Sequence, residues 1–140
     1  MSYIKAMSTT AFLMIIIPIL AVGCSIGNTK IINEPIDVQT AYNMIQSNKD
    51  NPNFVIIDIR TQEEFNSGHI GQATMIDYYL PDFKEKLSQL DRNKQYLIYC
   101  RTARRTGETS KIMKDIGFRT VYDMAGGITR WKAEGLPVVN

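Results

Sequence analysis

Cys100 is followed by arginines at 101, 104 and 105, all within YLIYCRTARRTGETS, residues 96–110. The thiolate is the reactive form of cysteine; a free thiol titrates near ~8.5, and nearby cations or a helix N-terminus bring it to about 3.5–7.5. The apolar run Tyr96–Tyr99 predicts a buried strand and Thr106 opens a predicted helix, so residues 100–105 form the loop between them. In an open α/β sheet, ligands bind at the carboxyl ends of the strands, where this loop falls. It also feeds a helix N-terminus, whose unpaired amides and dipole attract anions. Cys100 is therefore expected to be an activated nucleophile. Arg101, Thr102, Ala103, Arg104, Arg105 and Thr106 are expected to bind an anionic substrate, since guanidinium groups suit forked recognition of anionic oxygens. The competing reading is an inert buried cysteine beside a solvated helix start.

The elements that must position this loop alternate along the chain. Asp37 can cap a helix over Val38 to about Ser47, with Ala41, Met44 and Ile45 on one face. Phe54 to Ile59, FVIIDI, is almost wholly apolar, as in a parallel strand buried on both faces. Thr61 and Glu64 form a capping box for a short helix ended by Gly68. Ala73–Asp77 is a further strand candidate, and Phe83, Leu87 and Leu90 make a helical stripe. Thr109, Ile112, Met113 and Ile116 repeat at helical spacing before Gly117. Thr120–Asp123 predicts another strand, then Gly126-Gly127 and a last helix to about Glu134. Strands alternating with helices imply an α/β sandwich around a parallel sheet.

At 140 residues, the chain has room for one domain with a sizeable core. A net charge of +2 is too small to argue for nucleic acid as a partner. Ala11 to Val22 is uninterrupted by anything polar, too short for a membrane span of about 20 apolar residues and suited to a signal-peptide core. LAVGC, Leu20 to Cys24, resembles a bacterial-type lipoprotein signal. That resemblance implies a signal peptide over 1–23, lipid on Cys24, a polar tether over 24–36, and the folded domain over 37–140. The protein would then be exported and held on a membrane through Cys24, facing the periplasm or the cell exterior. A plain secretory signal or an uncleaved anchor is the alternative. With lipid on Cys24, Cys100 is the sole free thiol and no intramolecular disulfide can form.

CRTARRT resembles the active-site loop of single-domain rhodanese sulfurtransferases, Cys-Arg-Ser/Thr-x-x-Arg-Ser/Thr. VIIDIRTQEEFNSGHI is similar to the family's Asp-x-Arg strand end, Glu-Phe/Tyr helix and Gly-His-Ile turn, and VYDMAGGITRWKAEGLPV to its closing segment. The family often has Gly where this chain has Gln72. Phosphatases of the related cysteine class use Cys-x-x-x-x-x-Arg; here Thr106 takes that last place and the arginine comes one residue earlier, a smaller cradle that favours sulfur transfer. The resemblance implies a three-layer sandwich with a central, mainly parallel sheet flanked by helices. It further implies transfer of sulfane sulfur from thiosulfate or a similar anion, through a Cys100 persulfide, to a thiol or protein acceptor, without metal or organic cofactor. A non-catalytic persulfide carrier or redox-sensing module is the alternative function.

The remaining polar residues carry simpler expectations. Arg60 is expected to pair with Glu64, and Glu108 to sit in the first turn of the helix after the loop as a dipole partner. His69 is left out of the catalytic set as a turn residue, while Trp131 and Met124 are expected in the core.

Overall fold

Five parallel strands lie in the order β1-β5-β4-β2-β3 in the computed structural model, which describes residues 32–140. The strands are β1 (Ile32–Ile36), β2 (Phe54–Asp58), β3 (Thr74–Met75), β4 (Gln95–Tyr99) and β5 (Thr120–Met124). The helices are α1 (Val38–Ser47), α2 (Gln62–Asn66), α3 (Phe83–Ser88), α4 (Arg104–Asp115) and α5 (Gly127–Ala133). Every strand pair in the sheet is parallel. The signal-peptide, lipidation and Cys24 expectations lie outside the described residues.

The strands alternate their side chains between two cores. Leu97 and Tyr99 of β4 face one side with Val38, Ala41 and Ile45 of α1 and with Ile128 and Trp131 of α5. Tyr96, Ile98 and Cys100 face the other side with Phe83 and Leu87 of α3 and Met113 of α4. Successive residues of a strand point to opposite faces, and both faces here are covered. That is why β2 and β4 read as almost wholly apolar runs, with Asp58 and Gln95 only at their ends. Each fully buried Leu or Ile in these layers contributes about 1.5–3 kcal/mol through the water it sheds. Trp131 and Met124 are buried, as their sequence context predicts.

Local capping fixes where the helices begin. The Asp37 carboxylate accepts the Thr40 hydroxyl at 2.7 Å and the Thr40 N–H at 2.9 Å, and the hydroxyl bond, aided by the amide, holds its pKa below the usual carboxylate range. Thr61 Oγ1 accepts the Glu64 N–H while Glu64 Oε2 accepts the Thr61 N–H, closing the capping box.

Three expectations need correction here. The end of the supposed tether, residues 32–36, is the edge strand β1, paired with β5 from Ile32↔Thr120 to Ile36↔Met124. Asn33 Nδ2 donates to Ser110 O at 3.0 Å and Asn33 Oδ1 accepts from the Ser110 hydroxyl, so β1 is stitched to α4 as well. An edge strand pairs on one side only and can be polar, which hides it from a hydrophobicity reading. Second, α4 begins at Arg104, two residues earlier than Thr106. Third, Glu108 lies beyond the first turn of α4, where it accepts the Tyr78 hydroxyl at 2.6 Å. Gln72, at the turn where a glycine is common, holds a φ of 65°. That left-handed backbone costs a non-glycine residue about 1–2 kcal/mol.

Candidate active site

β2, β4 and β5 end side by side, with Asp58 opposite Tyr99 and Ile98 opposite Asp123. Cys100 is the next residue after β4 and is 1% exposed. The chain turns at Ala103, whose φ of 77° lies in the left-handed region, and α4 starts immediately after it. This turn aims the Ala103 N–H at Cys100 Sγ, 3.2 Å away. The first helical bond of α4 runs from Gly107 N–H to Ala103 O, so the amides of Arg104, Arg105 and Thr106 precede it and point toward the loop. Holding a β-carbon-bearing residue at positive φ costs about 1–3 kcal/mol, strain that such sites carry when their surroundings impose the conformation.

Those surroundings are α5 and α4. Cys100 O accepts from Ile128 N–H at 2.9 Å and Arg101 O from Thr129 N–H at 3.1 Å, so two successive loop carbonyls are tied to α5. Thr106 is buried and its hydroxyl donates to Ala103 O at 3.0 Å. Behind the loop, Tyr99 OH accepts the Ile70 N–H at 3.1 Å, and burial next to the Asp58 carboxylate pushes its phenol pKa well above the ordinary value.

Above the sulfur is a pocket of about 290 Å³, lined by Cys100, Arg101, Thr102, Arg104 and Arg105 together with Glu64 and Tyr79. Its arginines are not equivalent. Arg105 is buried and grips Glu64 with two parallel bonds, Nη1 to Oε2 at 2.8 Å and Nη2 to Oε1 at 2.9 Å. Its guanidinium carbon also lies 5.5 Å from the centre of the Tyr79 ring. Arg104 donates to Tyr79 OH at 3.3 Å, and the exposed Arg101 side chain has no hydrogen-bond or ion-pair partner among the described residues. Two cations thus remain for an anion, with a third neutralised at the wall.

The structure gathers Cys100, Arg101, Thr102, Arg104 and Arg105 around one cavity. Ala103 contributes its amide to the sulfur. Thr106, expected to bind substrate, instead has its side chain buried beneath the loop and outside the pocket lining. The expected Arg60–Glu64 pair does not form. Arg60 binds Asp58, 2.6 Å at the closest approach, and donates to Gly68 O, leaving Glu64 for Arg105. Both Asp58 and Arg60 are buried in this pair. His69 stacks on Phe65 at a 3.7 Å centroid distance and lies outside the Cys100 pocket. Sequence reasoning missed Glu64 as a pocket wall and Tyr79 altogether. Glu64 carried a signal, since a capping carboxylate has a second oxygen to offer; Tyr79 carried none. Among the described residues no group of three His, Cys, Asp or Glu side chains could hold a metal.

The Glu64–Arg105 contact has a direct consequence for stability. Hydrogen bonds from Arg105 hold the Glu64 carboxyl below its usual pKa, aided by the Thr61 amide. A carboxyl depressed in the folded state stabilises above its unfolded pKa and loses that contribution as pH falls through the folded value. Removing one partner of a buried pair costs about 3–5 kcal/mol; Glu64 is 28% exposed, so about 1–2 kcal/mol is expected for Glu64→Ala. Urea unfolding should show that loss at pH 7 and a much smaller difference from wild type near pH 3.

The molecule is a parallel α/β sheet whose central strand β4 leads into a cysteine, a tight amide-lined loop and a helix. Within it, residues 37–134 match the rhodanese-like domain, and the chain belongs to that family. It is 37% identical over 82 residues to YtwF of Bacillus subtilis (strain 168), covering 59% of this chain and 77% of that one. It is 29% identical over 90 residues to a sulfurtransferase of Allochromatium vinosum, covering 64% of this chain and 82% of the relative. The crystal structure of a rhodanese-related protein from Thermoplasma volcanium superposes with a TM-score of 0.65 at 26% identity, over 76% of this chain and 97% of that one. The same domain is 33% identical to 28% of the length of a tRNA uridine(34) hydroxylase from Cytophaga hutchinsonii.

Proposed function

We propose that this domain is a sulfurtransferase that carries sulfane sulfur on Cys100, with thiosulfate or a similar small anion as donor. The observation that carries this reading is the buried Cys100 sulfur, accepting an amide hydrogen beneath two guanidinium groups, Arg101 and Arg104, that no carboxylate among the described residues neutralises. A donor's oxyanion docks on Arg101 and Arg104. The Cys100 thiolate attacks the outer sulfur, an S–S bond forms to Cys100, and the donor's own S–S bond breaks. Sulfite departs with that electron pair, leaving a cysteine persulfide anion. The Ala103 amide and the first amides of α4 face the place where that charge resides. A thiophilic acceptor such as cyanide, a thiol or a protein thiol then takes the terminal sulfur and restores the thiolate. Every group in this cycle belongs to the chain or the substrates. The sequence of residues 20–24 supports export and anchoring through lipid on Cys24.

The test is to incubate the soluble domain with thiosulfate and then cyanide. Intact-mass spectrometry should show one sulfur added at Cys100, removed by cyanide as thiocyanate. An unaltered mass and no thiocyanate would overturn the reading. A sulfur that loads but is not released to small acceptors would assign the carrier role instead.

A further inference from the structure

A second cavity, about 250 Å³, adjoins the Cys100 pocket and shares Arg101 and Glu64 with it as a common wall. Its far side is built by α5, which presents Thr129 and Lys132 three residues apart on one face. α2 contributes Glu64, and Ser67 lies just beyond its end. The charges here sort cleanly. Arg60 is committed to Asp58 and Glu64 to Arg105. The side chains of Arg101 and Lys132 are exposed and have no hydrogen-bond or ion-pair partner among the described residues. The cavity therefore carries two uncompensated positive charges beside the exposed Thr129 hydroxyl, with one edge at the reactive sulfur's pocket.

Thiosulfate and cyanide are too small to need this space. A ligand that reaches from Cys100 across Arg101 into the second cavity has its sulfur at one end and an anionic group at the other. Building on the sulfurtransferase reading, we propose that this cavity is a subsite for the carboxylate of an organic thiol acceptor, held by Lys132, Arg101 and Thr129. Lys132 is then the residue that selects carboxylate-bearing thiols over neutral ones. The acceptor thiolate attacks the terminal sulfur of the Cys100 persulfide and leaves as an organic persulfide, while the S–S bond to Cys100 breaks and its thiolate is regenerated.

The experiment loads the wild-type domain and the variants Lys132→Ala, Lys132→Glu and Lys132→Arg from thiosulfate. Steady-state transfer is then measured to cyanide, to 2-mercaptoethanol and to 3-mercaptopropionate. One lost contact with a carboxylate worth about 1.4 kcal/mol is a tenfold change in affinity. Lys132→Ala and Lys132→Glu should therefore raise KM for 3-mercaptopropionate about tenfold or more with kcat little changed. Lys132→Arg should retain most of the preference, and 2-mercaptoethanol and cyanide should be affected less than about twofold in all three variants, since a change of that size is well under 1 kcal/mol. Equal changes for charged and neutral thiols, or no change for either, would overturn the subsite. Failure of wild type to form thiocyanate would instead overturn the sulfurtransferase reading beneath it.

Discussion

Cys100→Ser is expected to lower thiocyanate formation from thiosulfate and cyanide by roughly 10³-fold or more, because the atom that accepts the sulfur in the proposed cycle is gone. The fold should survive. Cys100 is buried among Ile57, Ile59, Ile98 and Met113, and serine is close in shape. A serine hydroxyl can also take the Ala103 N–H that now meets the sulfur at 3.2 Å. Exchanging a small apolar sulfur for a hydroxyl in that setting costs about 1 kcal/mol, readable as a modest drop in urea midpoint. Activity and stability thus separate, which they would not if Cys100 were only a packing residue. The variant should also gain no mass on treatment with thiosulfate. Thiocyanate production within about tenfold of wild type would remove Cys100 from the chemistry, since less than ~1.4 kcal/mol of barrier would then depend on it.

The parts of this site that could be read from the sequence are those set by neighbours a few residues away. Asp37 reaches Thr40, and Thr61 and Glu64 reach each other, so both caps follow from spacing alone. β2 and β4 are legible because burial on both faces demands nearly continuous apolar runs. What escaped was decided at long range. Glu64 and Arg105 are 41 positions apart, and their pairing depends on how α2 and α4 meet above β2 and β4. Arg60 had two carboxylates within reach; the strand end places Asp58 Oδ1 at 2.9 Å from its backbone N–H, and that geometry captures its side chain too. The edge strand β1 has Asn33, Glu34 and Pro35 at its centre and owes its place to β5 and Ser110. Nothing in its own residues announces a strand. The positive φ of Ala103 is likewise imposed from outside, by the N-terminus of α4 and by the carbonyls that α5 holds.

That last dependence makes Gly127 the position where one methyl group should do the most damage at a distance from the sulfur. Its φ is 59°, and a Cβ added there would lie 2.5 Å from both Cys100 O and Arg101 O. These are backbone atoms, and the same two carbonyls accept the Ile128 and Thr129 amides. They cannot move aside without carrying the Cys100 loop with them. Gly127→Ala should therefore push α5 and the loop apart, breaking both hydrogen bonds and tilting the Ala103 amide away from the sulfur. Displacing a reacting group by about 1 Å costs on the order of 10²-fold in rate, so kcat/KM with thiosulfate should fall at least that far. Overpacking and left-handed strain together should cost about 2–4 kcal/mol in urea unfolding. Gly107→Ala is the matched control: it lies in α4 just past the loop, its Cβ would meet nothing within 4 Å, and its φ is not in the left-handed range. There the same methyl should stabilise by about 0.5–1 kcal/mol through reduced unfolded-state freedom and leave turnover intact. If Gly127→Ala kept wild-type activity, α5 could not be what holds the loop's carbonyls, and the geometry around Cys100 would have to be maintained by α4 alone.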